Sequence, residues 1–208
     1  PLDFSASSPA PNNAEMALVV QAQAGETAAF DTLMRTYRDR VFSVIIGLTG
    51  NRADAADITQ DVFIKAFTNI RKYNFRSSFF TWIYRIAVNE ALNYQRKARS
   101  KKMNLFDRLI TGSSPTGSVE KTQEERLAEL AARNVDYRPS AALNNELQSQ
   151  LDKAMMELSE KHRAALVLTE IEGLPIHEAA EILGTSEGTV KSRLHYAKKR
   201  LQTLLKPY

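Results

Sequence analysis

Hydrophobic residues recur at helical spacing along almost the whole chain. From residue 26 to residue 50 they stand three or four positions apart, which places them on one face of an amphipathic helix. Segments of the same kind cover residues 14–25, where Gly25 is a natural stop, and residues 51–73, and a fourth helix begins near Ser78. The two-residue alternation that is typical of a β-strand is missing from both halves of the sequence. The pattern therefore predicts an all-α protein.

The same spacing predicts which side chains are buried. Residues on the apolar face of each helix should form the core, and the polar residues between them should face solvent. The predicted core residues of the three long helices are Phe30, Leu33, Met34, Tyr37, Val41, Val44, Ile45, Leu48, Ala55, Ile58, Val62, Ala66, Phe67, Phe79, Trp82, Ile83, Ile86 and Ala87. A later stripe consists of Leu143, Leu147, Leu151, Ala154, Met155 and Leu158.

Changes in composition divide the chain into two helical domains. The Ser-, Ala-, Pro- and Asn-rich start predicts a disordered tail over residues 1–13, and the first domain covers 14–102. Residues 103–139 contain "TGSSPTGS" and "DYRPS" and predict a flexible linker, with a marginal helical turn or two around "EERLAELAA". Helical spacing resumes in a second domain over 140–208. The architecture expected is two small helical domains on a tether.

The second domain ends in a helical hairpin, "HEAAEILGTSEGTVKSRLHYAKKRL". Gly184 permits a sharp turn, and Ser186 can cap the helix that follows. The apolar stripe of that helix is Val190, Leu194, Ala197 and Leu201, and the residues left outside are Lys191, Ser192, His195, Tyr196 and Lys199. Cations and hydrogen-bonding groups on a protruding helix match the major groove of duplex DNA. A helical hairpin that serves only packing could show the same spacing.

Charge is distributed unevenly along the 208 residues. The net charge is only +4, yet residues 96–102 hold five cations and no acid, and residues 191–206 hold six cations and no acid. Two separated basic patches indicate a polyanion that is contacted at two places. The alternative for either patch is a solvated helix end that complements the helix dipole.

Several classes of protein are excluded or disfavoured. With no cysteine the chain has no disulfide, thiolate chemistry or cysteine-bound zinc. No apolar run approaches the roughly 20 residues that span a bilayer, and the start lacks signal-peptide features, so we expect a cytosolic protein. His177 and Glu181 stand four apart, but the helical zinc pattern requires a second histidine at the later position. We expect no metal, no cofactor and no enzymatic activity.

Three stretches of the sequence resemble a known family. "ADAADITQDVFIKAFTNI", "FFTWIYRIAVNEALNYQRK" and "LPIHEAAEILGTSEGTVKSRLHYAKKRL" are similar to the extracytoplasmic-function (ECF) sigma factors of the sigma-70 family, over roughly residues 20–100 and 140–205. In that family sigma region 2 docks on the RNA polymerase clamp and opens the minus-ten promoter element. Region 4 reads the minus-thirty-five element through a helix-turn-helix and contacts the polymerase flap. The resemblance implies a promoter-specificity subunit.

The resemblance also implies how such a protein is controlled. A separate anti-sigma factor would deliver the signal, and a membrane-bound one would hold this bacterial, cytoplasmic protein at the inner membrane. Two departures from the family are Ala179, where a larger aliphatic residue is usual, and Gly188 in the first turn of the reading helix. A glycine at that position lowers helix stability by up to about 1 kcal/mol.

Functions for particular side chains follow from the resemblance. The residues that match the polymerase-docking helix are Asp57, Gln60, Asp61 and Lys65. The residues expected at the minus-ten element are Tyr73, Phe75, Asn89, Arg96, Lys97 and Arg99. The residues expected at the minus-thirty-five element are Ser186, Thr189, Lys191, Ser192, Arg193, His195, Tyr196 and Lys199.

The chemistry of these residues fits the roles, and each role has a structural alternative. Aromatic rings stack on exposed bases, although Phe79 and Trp82 are expected in the core. The amide of Asn89 has a donor and an acceptor that suit one flipped base; the alternative is a cap that bonds its own backbone. The polar stripe around Asp61 suits reversible docking but would also suit a solvated helix face.

Two other classes of function remain. A stand-alone DNA-binding regulator would need a dimer interface and repeated half-sites, whereas the sequence indicates two different basic surfaces on one chain. An adaptor without DNA contact would leave both basic patches unexplained.

Overall fold

The computed structural model describes residues 13–111 and 142–206, and at residues 102, 104–111, 142–145 and 147 it describes the backbone alone. Every regular element in these ranges is helical, which confirms the all-α prediction. The helices are α1 (Asn13–Ala24), α2 (Thr27–Thr49), α3 (Arg52–Asn69), α4 (Phe79–Thr111), α5 (Ala142–Glu157), α6 (Glu160–Leu166), α7 (Ile176–Leu183) and α8 (Glu187–Leu205). A 3₁₀ turn (Ile70–Lys72) follows α3, and a π-helical turn (Val167–Ile171) follows α6.

Several sequence predictions lie wholly or mostly outside the described residues: the N-terminal tail, most of the linker over 103–139, the turn around "EERLAELAA", and the side chains of Leu143 and Leu147. The helix that was expected to end near residue 102 continues to Thr111. We call residues 13–111 the N-terminal half and residues 142–206 the C-terminal half.

Local signals set the boundary between α2 and α3. Gly50 adopts a left-handed conformation (φ 66°), and its N–H donates to the Ile46 carbonyl oxygen at 2.8 Å. Asn51 then caps α3, since its side-chain oxygen accepts hydrogen bonds from the N–H groups of Ala53 and Asp54. A glycine stop followed by an asparagine cap turns the chain back within two residues. α2 and α3 therefore pack side by side.

The core of the N-terminal half follows the predicted helical stripes, with one exchange. The predicted residues of α2 are buried except Met34, which is partly exposed. On α3, however, Phe63 is buried at 7% exposure, whereas Phe67 is 44% exposed. Phe67 packs edge-to-face on Phe30, with ring centroids 5.0 Å apart. The prediction that Phe67 points into the core is wrong; Phe63, one turn earlier on α3, is buried instead.

The two halves pack against each other and share one hydrophobic core. Val167 lies so close to α2 that a Cβ built on Gly47 would be 3.1 Å from its Cγ1. Arg163 is only 2% exposed, and its guanidinium donates to the carbonyl oxygens of Leu48 (2.6 Å), Met156 (3.2 Å) and Leu158 (3.0 Å). The sequence predicted two tethered domains, but it gave no indication of this contact between them.

Candidate nucleic-acid interface

The hairpin of α7 and α8 has the predicted helix-turn-helix geometry. Gly184 ends α7 in a left-handed conformation (φ 59°, ψ 43°). Ser186 begins α8, where its Oγ accepts a hydrogen bond from the N–H of Thr189 at 3.2 Å. The glycine turn and the serine cap are both confirmed. They fix α8 at a sharp angle to α7 without a long connecting loop.

The outward face of α8 carries the predicted reading residues. Val190 and Ala197 are fully buried, and Leu194 and Leu201 are partly buried against the core. The exposed residues include Lys191, Ser192, His195, Tyr196 and Lys199, whereas Thr189 and Arg193 are half-buried. The split between a buried stripe and a polar face is therefore as the spacing predicted.

Tyr196 forms an aromatic group that the sequence did not indicate. Its side chain is 60% exposed, and its ring stacks on His162 of α6 with centroids 6.1 Å apart. His195 lies edge-on to the same ring at 5.8 Å. His162 belongs to a different helix, so only the fold brings it beside the reading face.

Ion pairs within the C-terminal half distinguish the cations of α8. Lys198 binds Glu170 at 3.0 Å, and Arg200 binds Glu157 at 3.2 Å. Lys191 lies 3.8 Å from Glu187, one turn earlier on the same helix. Within the two described ranges Lys199 has no ion pair. Lys191 and Lys199 are therefore better placed to meet a nucleic acid than Lys198 and Arg200.

A cleft of about 360 Å³ lies between the end of α3 and the middle of α4. We call it the α3–α4 cleft; its lining consists of Lys65, Asn69, Lys72, Trp82, Ile86, Asn89 and Glu90. The Lys65 ammonium is bound to the carboxylate of Glu90. Lys65, which the sequence placed on the polymerase-docking face, thus also forms part of the cleft that contains Asn89.

Asn89 is exposed in the middle of α4. As far as the described ranges extend, its side-chain amide makes no hydrogen bond to another protein group. This geometry argues against the alternative of a cap that bonds its own backbone. The Asn69 amide is different, because its nitrogen donates to the Lys65 carbonyl oxygen at 2.9 Å.

The segment between the 3₁₀ turn and α4 is held by its own aromatic residues. Tyr73 is buried, at 7% exposure, and its hydroxyl donates to the Ser77 carbonyl oxygen at 2.6 Å. Its ring packs against Phe75 (4.8 Å) and Trp82 (5.3 Å). Tyr73 is therefore a support for the segment rather than an exposed stacking surface, because packing within its own aromatic cluster uses the ring.

Phe75 remains available at the surface. It is 41% exposed and has a left-handed backbone (φ 59°), which is unfavourable for a residue with a large side chain. Strained residues of this kind cluster at functional sites. Phe75 lines, with Tyr73 and Phe79, a different cleft from the one that contains Asn89.

The basic run at the end of α4 is exposed but partly paired. Arg96, Lys97 and Arg99 are all exposed. Arg99 binds the carboxylate of Glu160 at 3.3 Å, and Arg96 lies 4.0 Å from the same carboxylate. Glu160 belongs to α6, so the two halves are joined at this point by the cations that were expected to contact DNA phosphates.

The exposed side of α3 is more apolar than the sequence analysis indicated. Asp57, Gln60 and Asp61 are exposed, as expected. Beside them Ile64 is 53% exposed, and Phe67 is exposed as described above. Residues three and four apart are neighbours on a helix, so the face combines acidic and apolar side chains. In the sequence Ile64 is an apolar residue among the polar positions of this face, and it could have indicated an apolar contact surface there.

A buried polar network joins the two halves near their centre. The carboxylate of Glu172 accepts hydrogen bonds from Ser43 (2.7 Å) and Tyr84 (3.2 Å), which lie on α2 and α4. The Arg40 guanidinium lies over the Phe80 ring at 4.8 Å, and the Tyr84 ring is 6.0 Å away. Burial, followed by the charge of Glu172, raises the pKa of Tyr84. Burial also lowers the pKa of Arg163.

Residues 13–111 and 142–206 lack two kinds of feature. No helix there is both long and apolar enough to cross a membrane. No group of three or more His, Cys, Asp or Glu side chains there is arranged to hold a metal ion.

Comparison with known proteins gives matches in both halves. Residues 33–101 match the family model Sigma-70 region 2, and residues 148–201 match Sigma-70, region 4. The ECF RNA polymerase sigma-E factor of Haemophilus influenzae is 31% identical, over 93% of this chain and 96% of that protein. The ECF RNA polymerase sigma factor SigW of Bacillus subtilis is 29% identical, over 90% of this chain and 95% of SigW.

Solved structures show a similar fold. The sigma factor RpoE of Bartonella quintana, solved with the anti-sigma factor NepR, has a TM-score of 0.58 and 25% identity. The match covers 85% of this chain and 96% of RpoE. CnrH, solved with the cytosolic domain of CnrY, has a TM-score of 0.62 and 22% identity. The match covers 94% of this chain and 99% of CnrH. The second likeness shows the fold alone.

Proposed function

Because the chain belongs to the ECF sigma factors of the sigma-70 family, we propose that its two halves divide promoter recognition between them. As a sigma factor it directs transcription initiation, its partners are RNA polymerase and promoter DNA, and it is not an enzyme. Residues 14–102 capture and help to melt the minus-ten element. Residues 140–208 read the minus-thirty-five element, and residues 103–139 connect the two domains.

The reading face of α8 is the observation that carries this proposal. A helix that buries Val190 and Ala197 presents Lys191, His195 and Tyr196 outwards after a capped helix-turn-helix. An α-helix fits the major groove, where side chains at its N-terminal end reach base edges. Ser186, Thr189, Ser192, Arg193 and Lys199 complete the proposed minus-thirty-five surface. Lys191 is the leading candidate for a base edge, and Lys199 for a phosphate.

The α3–α4 cleft is the proposed site for a base of the opened minus-ten element. Asn89 offers an amide that makes no hydrogen bond within the described part of the chain, and Trp82 and Ile86 supply an apolar wall. The two aromatic residues have different proposed roles because their exposure differs. Exposed Phe75 stacks on a base, whereas buried Tyr73 supports the Phe75 ring from within the core. The proposed phosphate contacts are Arg96, Lys97 and Arg99.

The exposed side of α3 is the proposed docking surface for the polymerase clamp. Asp57, Gln60 and Asp61 form a polar rim, and Ile64 and Phe67 provide apolar area. Protein interfaces combine a hydrophobic centre with a polar rim. Lys65 lies at the border between this surface and the cleft.

An anti-sigma factor is the proposed regulator, located in the cytoplasm or at the inner membrane. RpoE of Bartonella quintana, which shares the fold, was solved with an anti-sigma factor. A bound anti-sigma factor should compete with polymerase core for the full chain. Co-expression with a candidate anti-sigma factor, followed by competition with core, tests this part of the proposal.

The central experiment mixes the full chain with RNA polymerase core and a library of promoter fragments. We expect transcripts to start at a defined set of promoters that share an upstream and a downstream element. Core alone is the control. Tight, sequence-specific binding of duplex DNA by the chain without core would contradict the proposal and support a stand-alone helix-turn-helix regulator.

A further inference from the structure

We propose that Glu90 is a second base-reading residue in the α3–α4 cleft, where it selects cytosine or adenine, whose exocyclic amino group can donate to it, and disfavours thymine. The inference rests on the proposed function, because it takes this cleft to be the site of one base of the opened minus-ten element. Glu90 lies one position after Asn89 in the sequence.

The carboxylate of Glu90 is held in place and partly withdrawn from solvent. Its side chain is 19% exposed, and its Oε2 is bound by the Lys65 ammonium from the neighbouring helix. In the described parts of the chain, Oε1 of Glu90 has no hydrogen-bond donor. An ionised carboxylate only accepts hydrogen bonds. The cleft therefore presents one oriented acceptor to a ligand.

The other walls suit a single nucleobase. A volume of about 360 Å³ lies in the range of small-ligand sites. Trp82 and Ile86 offer an apolar surface on which a base can stack. The amide of Asn89 adds a donor and an acceptor beside the Glu90 carboxylate.

This set of groups distinguishes thymine from cytosine and adenine. Cytosine and adenine present an exocyclic amino group where thymine has the O4 acceptor, beside its methyl group, and guanine has the O6 acceptor. An amino group can donate to Glu90 Oε1, while the Asn89 amide donates to a neighbouring ring nitrogen or oxygen. Thymine bound in the same orientation would place O4 against the carboxylate, so two acceptors would face each other without a proton between them. Such an unpaired contact is an effective means of rejection.

The charge of Glu90 is compatible with DNA because of the two lysines. Lys65 neutralises Glu90, and Lys72 adds a further cation to the lining. The cleft thus keeps a net positive charge, which attracts the phosphate backbone. A plain surface ion pair would contribute little to stability and would have no effect on base preference.

The test uses the full chain assembled with RNA polymerase core. Promoter templates are premelted over the minus-ten element, and each single-stranded position is varied in turn through all four bases. Relative binding is measured by competition for wild type, Glu90→Gln, Asn89→Ala and Glu26→Gln. Glu26 is exposed at the start of α2 and does not line the α3–α4 cleft, so its variant is the matched control for the loss of one carboxylate.

For wild type and Glu26→Gln we expect one position at which thymine binds about tenfold more weakly than the preferred base, as a lost hydrogen-bonded pair predicts. In Glu90→Gln the amide can donate to O4, so the difference should fall below about threefold. The readout is the ratio of the affinities of one protein variant for different bases. Reduced folding would lower the apparent affinity for all four bases equally.

The contrary results are distinct. An unchanged base profile in Glu90→Gln, or a wild type that accepts thymine at every position, overturns the assignment of Glu90. If Asn89→Ala alters the profile and Glu90→Gln does not, the cleft remains the base site and Glu90 is only half of an ion pair. If wild type fails to initiate at any promoter, the proposed function itself is wrong.

Discussion

At the scale of single residues, the partners of a side chain separate a structural role from a functional one. Tyr73 and Asn89 were both expected at the minus-ten element. Tyr73 is buried and donates its hydroxyl to Ser77, whereas the Asn89 amide is exposed and makes no hydrogen bond within residues 13–111 and 142–206. A group without a partner has its hydrogen-bonding capacity available for a ligand. Asn89 is therefore the residue on which to test base capture.

The first prediction is that Asn89→Ala impairs promoter opening and leaves the fold intact. An exposed side chain without a protein partner should change the free energy of unfolding by no more than about 0.5 kcal/mol. Unstacking a base costs a few kcal/mol, so loss of its capture should strongly reduce permanganate reactivity of promoter thymines. The defect should shrink on a premelted template.

The control is Gln21→Ala, which removes an exposed amide from α1. A lowered melting temperature for Asn89→Ala with normal promoter opening would show that Asn89 has a structural role instead.

The second prediction concerns the buried tyrosine of the Glu172 network. Burial and Glu172 raise the pKa of Tyr84 above its usual value of 10.0. In the unfolded chain the phenol ionises near pH 10, while the folded protein retains the proton. Unfolding therefore releases a proton above about pH 10, and the free energy of unfolding should fall as pH rises through that range.

Urea titrations at a series of pH values from neutral to alkaline should show this fall, and it should be less steep in Tyr84→Phe. It should not vanish, because burial also raises the pKa of Tyr37 and Tyr73. Tyr196→Phe, which removes an exposed hydroxyl, is the control. Equal slopes for Tyr84→Phe and wild type would contradict the prediction.

At the scale of helices, one buried stripe determines what the opposite face can do. Val190 and Ala197 fix the rotation of α8, and Lys191 and Lys199 then face outwards. Ion pairs refine this division, since Lys198 is directed to Glu170 on the body of the C-terminal half. Adjacent lysines on one helix can thus have different functions.

The third prediction is that Lys191 and Lys199 contribute differently to upstream recognition. Lys191→Ala should cost about 1–3 kcal/mol at one base pair and relax the preference there. Lys199→Ala should weaken binding to all sequences. It should also reduce the slope of log affinity against log salt concentration by about one, as expected for the loss of one phosphate contact. Holoenzyme binding to a set of upstream variants, at several salt concentrations, measures both effects.

Lys198→Ala is the matched control, because its ammonium is paired with Glu170. A uniform loss for Lys191→Ala, without any change in preferred sequence, would remove it from the base-reading residues.

The fourth prediction concerns the α3 face. Asp57→Lys combined with Asp61→Lys should weaken binding to polymerase core by about tenfold or more, because like charges at a docking rim are costly. Ile64→Ala should weaken it as well through lost apolar contact. Titration of core with labelled chain gives the affinities.

Both carboxylates are exposed, so circular dichroism should show an intact fold. Reversal of two exposed acids on α5, Glu146→Lys with Asp152→Lys, is the control for net charge. Unchanged affinity in the α3 variants would place the docking surface elsewhere.

At the scale of the whole molecule, the packing of the two halves conflicts with simultaneous contact to both promoter elements. A compact chain of this length has a radius of gyration of about 17 Å. Elements centred near positions minus-ten and minus-thirty-five are about 25 base pairs apart, or about 85 Å along the duplex. Glu160 also pairs with Arg99, and Arg96 lies beside it. We therefore expect the halves to separate before the promoter is bound.

The fifth prediction is that Glu172→Ala favours this separation. The change removes the carboxylate that accepts hydrogen bonds from the hydroxyls of Ser43 and Tyr84. Each hydroxyl left unsatisfied in the contact between the halves destabilises that contact by about 1–3 kcal/mol. Small-angle scattering should give a larger radius of gyration than for wild type. Hydrogen exchange should accelerate along α2 where it faces α6 and the π-helical turn.

Glu170→Ala is the control, because Glu170 is a nearby exposed carboxylate that binds only Lys198 among the described residues. Identical scattering curves for Glu172→Ala and wild type would show that the hydrophobic contact alone holds the halves together.

The sequence by itself determined the features that depend on near neighbours along the chain. Helical period, the glycine turn at Gly184, the serine cap at Ser186 and the buried stripe of α8 arise from interactions within about one or two turns. The exposed acids of α3 followed from the same period. Motifs with this local basis were also sufficient for the resemblance to the ECF sigma factors.

Only the tertiary structure decided which distant residues meet. Lys65 and Glu90 are 25 positions apart, and Ser43 and Glu172 are 129 apart. Phe63 displaced Phe67 from the core, and Tyr73 was buried by neighbouring aromatic rings, because space in a close-packed interior is filled by residues from several helices at once. A one-dimensional pattern gives each helix its faces, but the choice among neighbours depends on shape and on partners that the pattern does not contain.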